Sequence, residues 1–348
     1  MIDSDVEKQI EFNKILSKLN QSASIKECFH HNKTECVLPI KDAHSLQRQG
    51  PLKNIESDIN GSLYVYSHID RTHNSVGDFL DLKPIGRKSA STFSGFCSFH
   101  DTKLFEKIEN DFESFDVNNE EHLFLYTYRA LAHSYHRKHE DLRLFESNDI
   151  ETKDYLVKIH GKNKLLSIER DIKMTLDDMK LPKSKLDFYI ENAKFDELNY
   201  LVYEFPFRIP IACAGVATPP YTFKGKEINT SGDPNYVYSS IITTVLPFKD
   251  RSIVILAAFP DEPHGIEYLD EIEDIKYDLL RQTYLSFHLI NNMENIYLSP
   301  KYYHSKSIEW KKRYCSILDF MGHSETPYLK FNPNFPINYF SKIESIKK

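Results

Sequence analysis

The sequence predicts an α+β fold: an N-terminal metal-binding module, a helical middle and a C-terminal antiparallel sheet with helices. Three observations predict it. Three of the five cysteines, Cys28, Cys36 and Cys97, fall in the first hundred residues among histidines and polar turns. Between residues 119 and 180 apolar side chains recur at helical spacing. From residue 198 to 260, runs rich in β-branched and aromatic residues are separated by Gly, Pro, Asn and Asp, as in an antiparallel sheet. The chain has 348 residues and is 41% hydrophobic, enough for one large core or two domains.

Taken in order, residues 3–20 are expected to be a helix, with Ile10, Phe12, Ile15, Leu16 and Leu19 roughly on one face. Residues 26–60 are polar and turn-rich, and GSLYVYSHI (61–69) reads as a strand. DTKLFEKIE (101–109) opens a helix near Asp101. Residues 119–142 form a stronger helix, with a stripe of Leu123, Phe124, Tyr128, Leu131, Ala132 and Tyr135. A further helix over 150–180 is expected to stop before Pro182, with a short one after it. Strands follow within 198–217, 236–248 and 252–260, then a helix over 267–292. The corresponding organisation is an N-terminal helix (1–24), a metal-binding module (25–110), a helical region (111–195) and an α+β C-terminal domain (196–348).

Composition excludes several classes. No apolar run approaches the roughly 18 residues that span a bilayer, and MIDSDVEKQIEFNKIL has no signal-peptide pattern, so no membrane role and a cytoplasmic location are expected. An odd cysteine count in a long chain argues against a disulfide framework. The net charge of −7 argues against tight non-specific nucleic-acid binding, though not against a local basic patch. Gly-x-Ser-x-Gly and Gly-x-Gly-x-x-Gly are absent, which removes hydrolase-elbow and Rossmann readings. KGKEINTSG (224–232) lacks P-loop spacing and reads as a hairpin turn. Cys213, inside an apolar strand, reads as inert core.

FCSFHD (96–101) places Cys97 and His100 at metal-knuckle spacing. With Cys28 and Cys36 they make a Cys3His set, whose thiolates and imidazole suit tetrahedral Zn2+. Four protein ligands close the shell, so the zinc is structural. His30 and His31 compete as ligands. His133, His136 and His139 read instead as a polar helix face, having no acidic partner at the right offset.

The order ECFHHNKTEC, then DAH (42–44), then FCSFHD resembles the treble-clef form of the HNH (ββα-metal) nucleases. The resemblance covers residues 25–110 and implies a treble-clef-like zinc module. It implies His44 as general base, Asp101 as ligand of a catalytic Mg2+ or Mn2+, and Arg48 as a phosphate-holding cation. DNA or RNA is then the implied substrate, with a bacterial defence or toxin effector as setting and a possible protein partner in a defence complex. The chain departs from the pattern in two places. The interval from His44 to Cys97 is long and must hold an inserted strand and loop, and the motif's middle Asn has no counterpart beyond Ser91 or Thr92.

AHSLQR, KSASTFSGFCSFHDTKLFEKIE, LFLYTYRALAH and MENIYLSP also resemble a bacterial family with a Cys…Cys…Ala-His-Ser-x-Gln-Arg segment and a Phe-Cys-x-x-His-Asp segment. That similarity implies that Gln47, Arg48, Phe96 and Asp101 act as one unit with the metal site, and it supplies no activity. Each candidate has a plainer alternative: His44 as a zinc ligand or bridge, and Asp101 as the N-cap of its helix. The alternative function is a non-catalytic zinc-binding module that recognises nucleic acid or a partner protein in a multi-subunit assembly.

Overall fold

The computed structural model describes residues 14–15, 18–19, 21–74, 79–230, 236–319 and 330–340. The helix expected over 3–20 lies largely outside them. The described chain begins with a cysteine loop containing a short 3-10 turn (Lys33–Glu35) and continues into β1 (Ile40–His44) and α1 (Pro51–Ile55). Strands β2 (Ser57–Ile59), β3 (Ser62–Asn74), β4 (Phe79–Gly86) and β5 (Thr92–Cys97) lead into α2 (Ser98–Glu109). Helices α3 (Glu120–Phe145), α4 (Ile150–His160) and α5 (Lys162–Glu191) form the middle. The chain then runs through β6 (Asn199–Phe205), β7 (Ile211–Ala217), β8 (Ile241–Pro247) and β9 (Ser252–Ala258). It closes with α6 (Pro263–Glu273), α7 (Asp278–Asn292), β10 (Ile296–Leu298), α8 (Pro300–His304) and α9 (Ile308–Asp319). The fold is α+β with antiparallel pairing throughout.

Two sheets organise it. β1 pairs with β5 alone, with Ile40 opposite Cys97 and His44 opposite Thr92. The large sheet runs β2-β3-β10-β7-β8-β9-β6, with β4 beside β3. The segment between His44 and Cys97 is therefore an insertion whose strands leave the metal module and join the C-terminal sheet. Strands β2, β3 and β4, from within residues 25–110, thus pair in one sheet with the strands that follow residue 196.

Both faces of the large sheet are covered, which is why β8 and β9 are buried throughout and largely apolar. Ile211, Cys213, Val254 and Leu256 pack toward Tyr268, Leu285, Leu289 and Ile317 of the C-terminal helices. Ala212, Ala214, Ile253 and Ile255 share the opposite core with Phe96, Phe105, Phe124 and Tyr128. Helix α3 thus lies between the sheet and the metal module. Its residues Leu123 to His133 are all buried, although the sequence predicts only a stripe.

Three helical expectations change. Helix α2 begins at Ser98, not near Asp101, because the Cys97 side chain accepts from the His100 N–H and caps it. The break expected at Pro182 falls instead at Gly161, whose φ of 77° suits glycine. Pro182 sits inside α5, where it removes one backbone donor. The burial of Met179 and Leu186, and the bonds of Lys183, offset that cost. The single helix expected over 267–292 is two, separated at Asp274–Tyr277, where Ile275 turns into the core.

Candidate metal centre and adjoining polar site

The cysteine loop docks on the edge of β5: the Phe29 N–H donates to the Gly95 carbonyl at 2.8 Å, and that of Glu27 to the Ser94 carbonyl at 3.2 Å. From α5, Lys183 Nζ donates to the Phe29 carbonyl at 2.9 Å while paired with Asp187 at 2.5 Å. These bonds carry Cys28 and Cys36 over the junction of β5 and α2, where Cys97 and His100 stand.

One ligand atom from each of Cys28, Cys36, Cys97 and His100 lies within 4.8 Å of all the others. The His100 Nδ1 is 3.4 Å from Cys28 Sγ, 3.6 Å from Cys36 Sγ and 3.3 Å from Cys97 Sγ. Zn–S bonds of about 2.3 Å and a Zn–N bond of about 2.05 Å at tetrahedral angles put S and N about 3.5 Å apart. The donor set and its spacing therefore fit a metal ion, consistent with zinc.

The electrostatics fit as well. Burial and the neighbouring Cys28 and Cys97 sulfurs push the Cys36 thiol up to about 11. Three crowded thiols resist joint ionisation, and a divalent cation removes that penalty. Burial also raises Cys97, but the N–H groups of His100, Val37 and Phe99 outweigh it, so the thiol is lowered overall. Burial, more than the nearby Lys103, His31 and Lys33, lowers His100, leaving a neutral imidazole. Its other nitrogen, Nε2, faces Glu35 Oε2 at 3.9 Å, the place of an outer carboxylate that orients a metal-bound histidine.

His30 and His31 stand outside the ligand set. The His30 ring stacks on His100, with centroids 3.8 Å apart and planes 8° apart, and His31 stacks on His30 at 4.3 Å. His30 Nδ1 accepts from the Asn32 N–H at 3.1 Å. Cys213 and Cys315 are buried away from the cluster, where burial pushes both thiols up.

His44 ends β1 and is not in the ligand cluster. Its Nε2–H donates to the Lys88 carbonyl at 3.2 Å. A carbonyl only accepts, so Nδ1 carries the lone pair in the neutral ring. Burial lowers its pKa, with Arg48 and Arg129 adding to the effect and Glu109 opposing it.

Asp101 sits in the first turn of α2 but does not cap it. Its Oδ1 is buried without a hydrogen-bond partner. Burial raises this carboxyl, with Arg129 opposing and Glu109 reinforcing. His44 and Asp101 thus lie in the field of one ion pair, Glu109–Arg129. Arg129 is 1% exposed, lies 4.0 Å over the Phe105 ring, and has partnerless Nε and Nη1 atoms. Gln47 Nε2 donates to the Glu109 carbonyl at 2.7 Å, and its Oε1 is also buried without a partner. Among the described residues Arg48 pairs with no carboxylate. Phe96 packs against Phe105 beneath this polar group, with ring centroids 5.4 Å apart.

The sequence reading missed Glu109 and Arg129. The available signal was an arginine inside the apolar run LFLYTYRALA, which burial makes costly without a partner. It also misplaced His133 and His136 as a polar face. Both are buried, against Phe93, and His136 Nε2 bonds the Ile25 carbonyl at 3.0 Å.

In comparisons with known proteins, no family model, curated protein or solved structure matches the chain. Among the described residues no helix is long and apolar enough to cross a membrane.

Proposed function

We propose that the chain is a metal-dependent nuclease of HNH-like type, with DNA or RNA as substrate. One observation carries this reading. The His44 ring donates through Nε2 to the Lys88 carbonyl, Asp101 Oδ1 is buried without a hydrogen-bond partner, and neither residue is consumed as a zinc ligand or a helix cap. The order of parts supports it: a cysteine loop, a β1–β5 hairpin, and a helix whose first turn carries the remaining ligands. The long interval after His44 is accounted for by strands that belong to the large sheet.

In this reading zinc is structural and fixes the hairpin against α2. His44 Nδ1 takes the proton from the attacking water, and the Lys88 carbonyl holds the ring in that tautomer. Asp101, a hard oxygen donor with a partnerless oxygen, would hold Mg2+ or Mn2+, which stabilises charge on the phosphoryl and leaving oxygens. Arg48 anchors a phosphate.

The test is cleavage of plasmid DNA and structured RNA with Mg2+ or Mn2+, comparing wild type with His44→Ala and Asp101→Asn at equal zinc content. Cleavage lost in both variants supports the reading. A zinc-loaded, folded chain that cuts neither substrate overturns it in favour of a non-catalytic zinc module that binds a partner. The net charge of −7 favours that second reading.

A further inference from the structure

We propose that a cleft lined by none of the zinc ligands binds a small organic cation, with a guanidinium or ammonium head on an apolar stem. The cleft lies between α3, α5, β7 and the turn after α7, and its volume of about 450 Å³ is in the range of small-molecule sites.

Its polar groups are mostly acceptors. Asn291 Nδ2 donates to the Phe287 carbonyl at 3.0 Å, and Asn292 Nδ2 to the His288 carbonyl at 3.0 Å. Asn295 Nδ2 donates to the Ala214 carbonyl and to Ser45 Oγ, each at 2.8 Å. Backbone carbonyls only accept, so these bonds fix each amide's orientation. All three side chains turn their amide nitrogen to the protein, and among the described residues none of the three oxygens accepts a hydrogen bond.

Three carboxylates, Asp171, Asp178 and Glu294, line the same cleft. The two cations there are engaged: Arg137 with Glu140 at 2.7 Å, and Lys138 with Asp141 at 3.1 Å and, more loosely, with the cleft's own Glu294 at 3.8 Å, while Asp178 pairs with no cation among the described residues. A second, independent feature is His133, 6% exposed, which lines the cleft with a partnerless Nδ1. Burial and the adjacent Arg137 keep that ring neutral, so it adds no positive charge to the cleft. An anion would meet this acceptor surface unfavourably, whereas a donor-rich cation would satisfy it. Met174, Met179 and Val216 supply apolar wall for a stem.

The test is calorimetric titration of the full chain with agmatine, which carries both heads on a four-carbon stem, and with AMP as an anionic control. Asp178 and Glu294 are exposed, so the double variant Asp178→Asn/Glu294→Gln keeps the fold, which its melting temperature verifies. The expected result is saturable agmatine binding, weakened about tenfold or more in the variant, with AMP inert. No saturation below about 10 mM, unchanged affinity in the variant, or tighter binding of AMP would overturn the proposal.

Discussion

The Asn295 side-chain amide reaches back 250 residues to donate to Ser45 Oγ and donates also to the Ala214 carbonyl, both at 2.8 Å. Ser45 follows His44 directly and also bonds Ser91 at the far end of the insertion. The Ser91 N–H in turn donates to Tyr297 Oη at 2.6 Å. MENIYLSP is therefore the clamp that holds the end of β1 to the large sheet. Asn295→Ala should cost about 1–3 kcal/mol, because Ser45 and the Ala214 carbonyl lose a shared donor. Chemical denaturation measures this. Cleavage should fall in parallel while bound zinc stays at the wild-type level.

Glu109→Gln leaves the buried Arg129 without its counter-charge. Glu109 is a third exposed, so water relieves part of the cost, and a loss of about 1–3 kcal/mol is expected. Replacing both, as Glu109→Gln with Arg129→Met, should recover part of it in a denaturant double-mutant cycle.

The proposed base, His44, can take a proton only when neutral. Its pKa is held below 6.5, chiefly by burial. Cleavage should therefore be full at pH 7 and persist somewhat below 6.5 before falling as the ring protonates. A pH–rate profile for kcat/KM checks this. A profile whose acid limb lies above 6.5 would place the titration elsewhere.

Folding stability should also fall on acidification. Burial depresses His68, His133 and His288 to about 3 in the folded chain, against 6.5 when unfolded. The unfolded state then binds more protons. Stability is complete above 6.5 and drains as pH falls from 6.5 toward 3, at up to about 1.4 kcal/mol per pH unit for each group. Denaturant midpoints at pH 7.5 and 5.5 would show the loss. Equal midpoints would contradict it.

The metal centre was the most legible part of the sequence, because Cys97 and His100 are close along the chain and their spacing reports a local turn. Cys28 and Cys36 were legible by residue type. The β8 and β9 runs were legible because both faces of the sheet are covered. Long-range compensation was not. Pro182 stays helical because Lys183 ties α5 to the cysteine loop, and Arg129 is buried because Glu109 waits on another helix. Neither dependence has a local periodicity. Asn295 was quoted within a motif, but its partner Ser45 could not be inferred from spacing.

The most direct measurement is elemental analysis of the purified chain joined to X-ray absorption at the zinc edge, on wild type and on Cys36→Ser. The account predicts one zinc per chain, with three sulfur ligands at about 2.3 Å and one nitrogen at about 2.05 Å. It predicts loss of zinc or of one sulfur in Cys36→Ser, with Cys213→Ser unchanged. A chain without zinc, or a shell of other composition, would contradict the Cys28–Cys36–Cys97–His100 centre.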